Sequence, residues 1–324
     1  MGIKYLNNII KNQSPNSIKT IQLNELESKI IIIDISIYIF KFAYDGNIID
    51  NFYILFTLFK RYNIFPIFVF DGKPPDEKKN LLIERRLARI KTDNEIKDLQ
   101  RKLDISINNL EHKSLLSQLE CLKKKVVNIS IQDFDRIKEL IDAYGFQYIN
   151  AEGEADEVCA YYVLKGKAWA CLSDDTDMFL YGCPRVLRQL NLFDESLLLY
   201  THSQILNDMN LTQNEFNEIC IYSGTDYNIN NGNKNTLCVL FKNYIMNKKS
   251  DNYSDFMTWM YNNNDFNDIN IDVNELNNIK NIFNIMKNKC LQKYDGIEYN
   301  LHNNKKQIDM QKIQTILINN GFIL

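Results

Sequence analysis

The stretch Asn150–Leu180, NAEGEADEVCAYYVLKGKAWACLSDDTDMFL, contains two acidic loops separated by one predicted helix and one predicted strand. Apolar or small side chains recur at helical spacing after Gly153, and Ala168–Leu172 is a short apolar run typical of a buried strand. If that strand is parallel and internal, the second acidic loop lies at the sheet edge where α/β folds place their sites. The acids that fall at the two ends of this helix–strand unit are Glu154, Asp156, Asp175 and Asp177.

These four carboxylates are expected to converge on one rim of the sheet. A parallel strand over Phe146–Ile149 would place the start of the following helix at that same edge. Like charges so close repel one another, and a divalent cation is the usual remedy. Each pair alone also suits a purely structural explanation, because acids before a helix often serve as caps and DDTD is typical of a polar turn. The choice therefore depends on whether further acids meet at the same rim.

Two other apolar runs end in an aspartate. Ile30–Asp34 predicts a buried parallel strand, and Ile64–Phe70 predicts a second strand that stops just before Asp71. A further acid, Asp226, lies in a turn after a predicted helix. Strands of one sheet deliver their terminal acids to the same edge. The acidic set then comprises Asp34, Asp71, Glu154, Asp156, Asp175, Asp177 and Asp226.

Length and composition indicate a soluble globular protein. The chain has 324 residues, 45% of them apolar, and charged residues interrupt its longest apolar runs. The N-terminus has no signal-peptide pattern, and the seven scattered cysteines without a C-x-x-C pair argue against a zinc site and for reduced thiols. We therefore expect an intracellular protein that is not secreted. With a net charge of −3, any nucleic acid must bind through local basic clusters.

Residues 76 to about 128 differ in character from their surroundings, because they are highly charged and helix-prone. A solvated helical face or hairpin is the simplest explanation. The segment is nevertheless inserted between strands of the predicted sheet, and an insertion beside a site is a natural lid or clamp. Residues 228–235 are Asn/Gly-rich and predict a loop, and the chain after them, including Val273–Lys289, is mostly helical by pattern. Together these features predict an α/β fold with a mainly parallel central sheet flanked by helices, an inserted helical segment and a helical C-terminal region.

Six motifs, in order, resemble those of the flap endonuclease family, the XPG/Rad2-like structure-specific 5′ nucleases. MGIKYLNNII (1–10) resembles its MGI-x-GL start, IIIIDIS (30–36) its first-acid strand, and IFVFDGKPP (67–75) its second-acid strand and turn. GEADEVCA (153–160), LSDDTDMFLYG (172–182) and IYSGTDY (221–227) resemble its E-A-E-A, E-D-x-D and L-x-G-x-D-Y motifs. The ordered set is more specific than any single motif.

The resemblance implies a division of the chain. A PIN-like nuclease core would occupy residues 1–227, with an N-terminal part over 1–75, a helical arch over about 76–128 and an internal part over 129–227. A degenerate helix–two-turn–helix and a helical region would follow over 228–324. No clear linker separates the two.

The implied chemistry agrees with the acidic set. The family hydrolyses a phosphodiester where duplex meets a 5′ single strand, with two Mg²⁺ ions or with Mn²⁺ in their place, and carboxylates suit Mg²⁺. By motif position, one ion would be held mainly by Asp34, Asp71, Glu154 and Asp156. The other would be held, partly through waters, by Asp175, Asp177 and Asp226. The nearby acids Glu152, Glu157 and Asp174 are off-motif bystanders.

By the same resemblance, the basic insertion contacts the substrate. Lys78 and Arg85 occupy the positions of a lysine and an arginine at the base of the arch, where they would counter the charge that develops at the scissile phosphate. Phe40 sits where the family carries an aromatic that stacks on a base, although a buried core Phe is an equal alternative. The other implied DNA contacts are Gly2, Arg86, Arg89, Lys123, Lys124, Lys125, Gly232 and Lys234.

The chain departs from the family pattern in four places, one of which is a shorter segment between Phe42 and Asp71, where a loop that touches duplex DNA would be trimmed. Asp156 replaces a Glu, which shortens one ligand and suits a water-bridged contact. Only Gly232 and Lys234 remain of a hairpin that grips duplex DNA beside a monovalent ion, and no sliding-clamp docking motif is found. We expect a monomer that acts on 5′-flap or nicked DNA in the nucleus or another replication compartment. A 5′–3′ exonuclease acting on DNA or RNA and a non-catalytic DNA-binding module remain as alternatives.

Overall fold

A seven-stranded sheet lies at the centre of the described part of the protein. The computed structural model describes residues 2–105, 109–126, 129–228, 237–250, 255–262, 273–299 and 308–322. The strands are β1 (Ile18–Gln22), β2 (Ile30–Asp34), β3 (Phe65–Phe70), β4 (Gln147–Asn150), β5 (Ala170–Leu172), β6 (Arg185–Asn191) and β7 (Ser196–Thr201). Their order is β1-β7-β6-β5-β2-β3-β4. The five strands from β6 to β4 run parallel, and β7 pairs antiparallel with both β6 and β1.

The central strands are buried on both faces, as continuous apolar runs in a parallel sheet should be. In β2, Ile31 and Ile33 pack into the core on one face of the sheet, and Ile32 packs into the core on the other. The same alternation places Phe68 and Val69 of β3 in opposite cores. The predicted parallel sheet is thus confirmed, and its register follows from which side chains fit each core.

Helices cover both faces of the sheet. Side chains of α1, α7, α9 and α10 belong to one core, and those of α2, α3, α6 and α14 to the other. In chain order the helices are α1 (Leu6–Gln13), α2 (Ile35–Tyr44), α3 (Ile48–Arg61), α4 (Lys79–Ile105), α5 (Asn109–Lys125), α6 (Ile131–Ala143), α7 (Ala155–Leu164), α8 (Asp177–Leu180), α9 (His202–Met209), α10 (Gln213–Ser223), α11 (Leu237–Ser250), α12 (Phe256–Asn262), α13 (Val273–Phe283) and α14 (Met310–Asn319).

The inserted segment is a helical hairpin that leaves the edge of the sheet. A 3₁₀ turn over Asp76–Lys78 follows β3 and leads directly into α4, whose 27 residues span about 40 Å. Helices α4 and α5 pack against each other, and apolar side chains such as Leu87 remain exposed to solvent. Because the hairpin contributes little to either core, its position beside the sheet edge is its main structural relation to the rest of the protein.

The last helix returns to the sheet. Ile313, Ile316 and Leu317 of α14 lie in the core that α6 shares, and the backbone N–H of Asp309 donates to the carbonyl oxygen of Ala143 at 2.9 Å. The helix predicted over 273–289 ends earlier than expected, at the close of α13, and a 3₁₀ turn over Ile285–Lys287 follows. No helix among the described residues is long and apolar enough to cross a membrane.

Candidate active site

The rim of the site is the carboxyl edge of the parallel strands. Asp34 is the last residue of β2, Asp71 directly follows β3, and Asp175 follows β5 by three residues. Because β5, β2 and β3 are adjacent and parallel, these three acids meet at one edge. Strand β4 is parallel to β3, so it brings the start of α7 to the same edge. The predicted convergence of the two acidic loops is confirmed.

A tight turn after β3 holds Asp71 beside the start of α7. The backbone N–H of Gly72 donates to the carbonyl oxygen of Gly153 at 2.7 Å, and that of Lys73 donates to Glu152 at 2.9 Å. A Cβ atom at Gly72 would collide with the backbone of Ala151 and Glu152, so only glycine allows this approach. Asp71 Oδ1 then accepts the N–H of Ala155 at 2.8 Å.

Glu154 occupies the N-cap position of α7, yet its side chain does not cap the helix. Its two oxygens are taken by other groups. Lys78 Nζ lies 2.7 Å from Oε1, and the hydroxyl of Tyr227 donates to Oε2 at 2.7 Å. The ammonium also lies 4.7 Å from the centre of the Tyr227 ring. The explanation of Glu154 as a plain helix cap is therefore wrong.

The base of the arch reaches a second acid. Arg85 Nη2, on the second turn of α4, lies 3.0 Å from Asp226 Oδ2. Lys78 and Arg85 thus each pair with one member of the acidic set, Lys78 largely buried and Arg85 half-exposed. The arch is tied to the rim at these two points.

The loop after β5 is held from behind by Arg188 of β6. Its Nη2 donates to the carbonyl oxygen of Asp174 at 2.6 Å, and its Nη1 donates to Asn7 Oδ1 at 3.1 Å. Gly2 has φ +76°, and a Cβ atom there would collide with the side chains of Asp175 and Asp177 in this loop. Gly2 therefore packs against the acidic loop, and its DNA contact stays a prediction.

Burial and mutual repulsion raise the pKa of four of the acids. Burial raises the pKa of Asp34 well above its usual range, and the carboxylates of Asp71 and Asp175 add to the effect. Burial followed by the charge of Glu154 does the same for the pKa of Asp156. For Asp175 and Asp177, burial again raises the pKa most, and Asp226 raises both further. These four acids thus lie close enough to other carboxylates of the rim for like charge to disfavour their ionised form.

The donor set suits a hard divalent cation. Asp34 Oδ1 and Asp177 Oδ1 are buried without a hydrogen-bond partner in the part of the chain that is described, so each could accept a cation or its water. No group of three His, Cys, Asp or Glu side chains among the described residues is arranged to hold an ion by itself. Mg²⁺ does not require such a group, because it keeps several waters and binds through one or two carboxylates plus substrate phosphate. The buried Oδ1 oxygens of Asp34 and Asp177, which accept no hydrogen bond from the described residues, are therefore suitable ligands for Mg²⁺ or for its bound water.

Comparison with known proteins places the chain in a family. The XPG N-terminal domain matches residues 1–92 and the XPG I-region matches residues 145–226, which together exceed half of the 324 residues. The flap endonuclease 1 of Lodderomyces elongisporus is 30% identical over 247 residues, which cover 70% of this chain and 61% of that protein. The chain belongs to the XPG/Rad2-like flap endonuclease family. The match spans less than two thirds of the length of these relatives.

Solved structures confirm the fold of this XPG/Rad2-like chain. The catalytic core of Rad2 in complex with DNA substrate aligns with a TM-score of 0.60 at 19% identity, covering 96% of this chain and 93% of that one. The flap endonuclease-1 of Methanococcus jannaschii aligns with a TM-score of 0.55 at 23% identity, covering 94% and 97%. The mainly parallel sheet flanked by helices is the PIN-like nuclease fold of these proteins.

The other residues that the flap endonuclease resemblance singled out are more dispersed. Phe40 is 53% exposed on α2, so the alternative of a buried core ring is wrong. Arg86, Arg89 and Lys123 lie exposed on the arch. The side chains of Lys124 and Lys125, and the whole of Gly232 and Lys234, lie outside what the structure describes. The DNA contacts of this group stay predictions.

Sequence reasoning missed two residues that hold the family's acidic rim together. Tyr227 was quoted only as the end of a motif, although it binds Glu154 and supports Lys78. Its place directly after Asp226 was the available signal. Arg188 gave no signal, because a basic residue within a strand predicts only an edge or solvent-facing position, whereas here it is buried behind the acidic loop.

Proposed function

We propose that this chain is a structure-specific 5′ nuclease that hydrolyses phosphodiesters of branched DNA at 5′ flaps, nicks or gaps. One observation supports this most. Seven acids gather at one sheet edge, two of them with buried oxygens that have no donor among the described residues, and two cations of the inserted hairpin reach that edge. Such a rim is unfavourable for stability unless a cation and a phosphate complete it. The proposed form is a monomer that needs no sliding-clamp motif.

Two Mg²⁺ ions, or Mn²⁺ in their place, are the proposed cofactors. When bound, such a pair lowers the pKa of an attacking water and stabilises the leaving oxygen. Asp34, Asp71, Glu154 and Asp156 are the proposed ligands on the β2–β3–α7 side. Asp175, Asp177 and Asp226 are the proposed ligands on the side of the β5 loop.

The proposed role of the arch cations follows from their charge and position. Lys78 and Arg85 carry positive charge at the rim, where a scissile phosphate would gather negative charge in the transition state. Burial alone would lower the pKa of Lys78, but Asp156 and Glu154 outweigh that effect and raise it, so the ammonium stays charged at neutral pH. Each cation can exchange its carboxylate partner for a phosphate oxygen, because both ligand types accept the same charge-assisted hydrogen bonds.

The remaining basic residues of the arch are proposed to bind the single strand. Arg86, Arg89 and Lys123 are exposed, and phosphate contacts of this kind supply affinity and salt dependence without sequence preference. Exposed Phe40, on the helix that follows Asp34, is proposed to stack on a base beside the cut.

Cleavage assays on matched substrates test the proposal. With Mg²⁺, the protein should cut a 5′-flap duplex near the junction and lose this activity in Asp175→Ala. Activity that survives Asp175→Ala would contradict the assigned site. Flap binding without cleavage in either Mg²⁺ or Mn²⁺ would instead identify a non-catalytic module. A nicked duplex, a single-stranded DNA and a single-stranded RNA, assayed in parallel, separate a flap endonuclease from a 5′–3′ exonuclease.

A further inference from the structure

Tyr5 has a backbone conformation that L-amino acids with large side chains rarely adopt. Its φ is +66° and its ψ is −5°, in the left-handed region. A side chain with a Cβ is disfavoured there, and a bulky residue at positive φ is an outlier. The motif that the first ten residues resemble carries glycine at this position, which adopts positive φ without cost. The chain therefore accepts a strained aromatic where a small residue would fit.

The Tyr5 side chain does not compensate for this strain by packing or capping. The residue is 56% exposed, whereas its neighbours Ile3 and Leu6 are buried. Tyr5 stands at the N-cap of α1, but its side chain makes no capping hydrogen bond. Its hydroxyl also has no hydrogen-bond partner within the described residues. Strain that no contact in the folded chain offsets is typically found at sites that serve a ligand.

Tyr5 is fixed in place close to the acidic rim. Gly2 packs against the loop of Asp175 and Asp177, and Asn7 accepts hydrogen bonds from Arg188 and Tyr200 at 3.1 and 2.8 Å. Three residues extend by roughly 11 Å at most, so the backbone of Tyr5 lies within that distance of Gly2, which packs against the acidic loop. Both ends of this short segment are anchored, and the ring is presented to solvent between them.

A cation accompanies the ring. Lys4 is exposed directly before Tyr5. An aromatic ring next to a lysine is the combination that binds single-stranded nucleic acid, because the ring stacks on a base and the ammonium contacts a phosphate. An exposed ring is available for stacking, and the left-handed turn that carries it is anchored through its neighbours.

We propose that Lys4 and Tyr5 form a binding site for one unpaired nucleotide at the mouth of the acidic rim. The Tyr5 ring stacks on the base and Lys4 contacts the phosphate. This inference rests on the proposed nuclease function and deepens it, since it assigns a specific part of the substrate, an unpaired nucleotide beside the cut, to residues outside the acidic set and the arch. It also gives a reason for the strain at Tyr5.

Binding to paired probes tests the stacking. Fluorescence anisotropy in EDTA at fixed salt would compare a duplex with a 5′ thymine tail and the same duplex with an abasic tail. Tyr5→Gly should weaken binding to the thymine tail about tenfold or more and leave the abasic tail unchanged, whereas Tyr5→Phe should bind both tails like the wild type. Lys4→Gln should weaken both tails alike, because both retain their phosphates.

Relief of strain provides the folding control. Tyr5→Gly should raise the melting temperature, so its loss of binding would not reflect unfolding, and Tyr5→Asn gives a second ring-free variant that tolerates positive φ. Ser28→Gly is the matched control, since Ser28 also has a positive φ (59°) but precedes β2 at the opposite sheet edge. It should raise the melting temperature and leave both affinities unchanged.

Three results would overturn the proposal. If Tyr5→Gly bound each tail as tightly as the wild type does, in a protein that cleaves flaps, the stacking site would be excluded and the nuclease function would remain. Equal weakening of both tails by Tyr5→Gly would mean that the ring acts through the backbone, not through a base. A wild-type protein that binds neither DNA would remove both this site and the proposed function.

Discussion

The acidic rim has two halves that differ in how their charge is compensated. In the paired half, Glu154 holds Lys78 and Asp226 holds Arg85, so each carboxylate already has a cation from the arch. In the buried half, Asp34 and Asp177 each keep one buried oxygen without a donor among the described residues, and burial raises the pKa of both. The two halves lie at one sheet edge, but the like charges are compensated by cations of the arch in the paired half and, within the described part of the chain, are left without such a cation in the buried half.

The two halves therefore differ in where the compensating cation comes from: the chain itself supplies it in the paired half, and the solution must supply it in the buried half. The paired half is stable as it stands, and its cations must change partners to meet a phosphate. The buried half is stable only when it is protonated or when a cation arrives from solution. Function in the first half is therefore coupled to movement of the arch, and function in the second to metal binding. Variants that change one half and leave the other therefore test this comparison.

Neutralising the buried half should have the largest effect. Asp177→Asn keeps the shape of the side chain but removes its charge, so cleavage of a 5′-flap duplex should fall by roughly 10³-fold or more, which quenched-flow or gel assays would measure. The same change should raise the free energy of unfolding in EDTA by roughly 1–3 kcal/mol, because an unpaired buried charge is lost. Stability and activity should move in opposite directions.

Metal binding gives that prediction a second readout. Mg²⁺ at 100 times its dissociation constant should stabilise the wild type by about 2.7 kcal/mol and Asp177→Asn by much less. Glu27→Gln, an exposed acid before β2, serves as the control and should leave cleavage, stability and the Mg²⁺ effect unchanged. A variant Asp177→Asn that is less stable than the wild type in EDTA would contradict the view that this half is strained without metal.

The two cations of the paired half should separate stability from activity. Lys78 is only 11% exposed, so Lys78→Met leaves Glu154 without its cation and should lower the free energy of unfolding by roughly 1–3 kcal/mol. Arg85 is 52% exposed, and Arg85→Met should change stability by no more than about 0.5 kcal/mol. Both variants should lower single-turnover cleavage about 10²-fold. Equal stability of the two, measured by urea unfolding, would show that burial does not distinguish the pairs.

The pH dependence of stability tests the surroundings of the paired half, where the charge of Glu154 acts on Glu157. Burial, and then the charge of Glu154, raises the pKa of Glu157 from 4.5 to about 7. A carboxyl group with a raised pKa contributes stability that is fully present below pH 4.5 and is lost as the pH rises through 7. Urea unfolding in EDTA should therefore show Glu157→Gln gaining stability relative to the wild type between pH 5 and 8. A difference that does not change with pH would exclude this titration.

Sequence reasoning was most reliable where a single physical requirement determines the residue. A continuous apolar run that ends in an acid, as at Asp34 and Asp71, predicts a buried parallel strand and its carboxyl edge, and both were found there. The same pattern was sufficient to predict the mainly parallel sheet, whereas the inserted helical hairpin was predicted from the highly charged, helix-prone composition of residues 76 to about 128. The strand Ile18–Gln22 was missed because IKTIQ is short and half polar. It is held in the sheet by antiparallel pairing with β7, which the local sequence does not reveal.

The organisation of the site was less predictable, because partner choice depends on distances that only the fold creates. Nothing in the sequence distinguishes Glu154, which pairs with Lys78 and Tyr227, from Asp34, whose buried Oδ1 has no hydrogen-bond partner among the described residues. Both are the N-cap residue of a helix that comes after a strand. Likewise, Arg188 meets Asp174 and Asn7 across three separate elements, so no local pattern could indicate it.

The smallest effect is expected from the hydroxyl of Tyr227, which donates to Glu154 in the paired half. Tyr227→Phe removes the 2.7 Å hydrogen bond to Glu154 but keeps the ring beside Lys78 and Phe283, so stability should fall by about 1 kcal/mol and cleavage about fivefold. Tyr144→Phe is the matched control, since its hydroxyl lies 2.7 Å from Thr57 far from the rim. It should cost similar stability with unchanged cleavage. If both variants reduced cleavage equally, the loss would follow from stability alone, and Tyr227 would have no part in positioning Lys78 and Glu154.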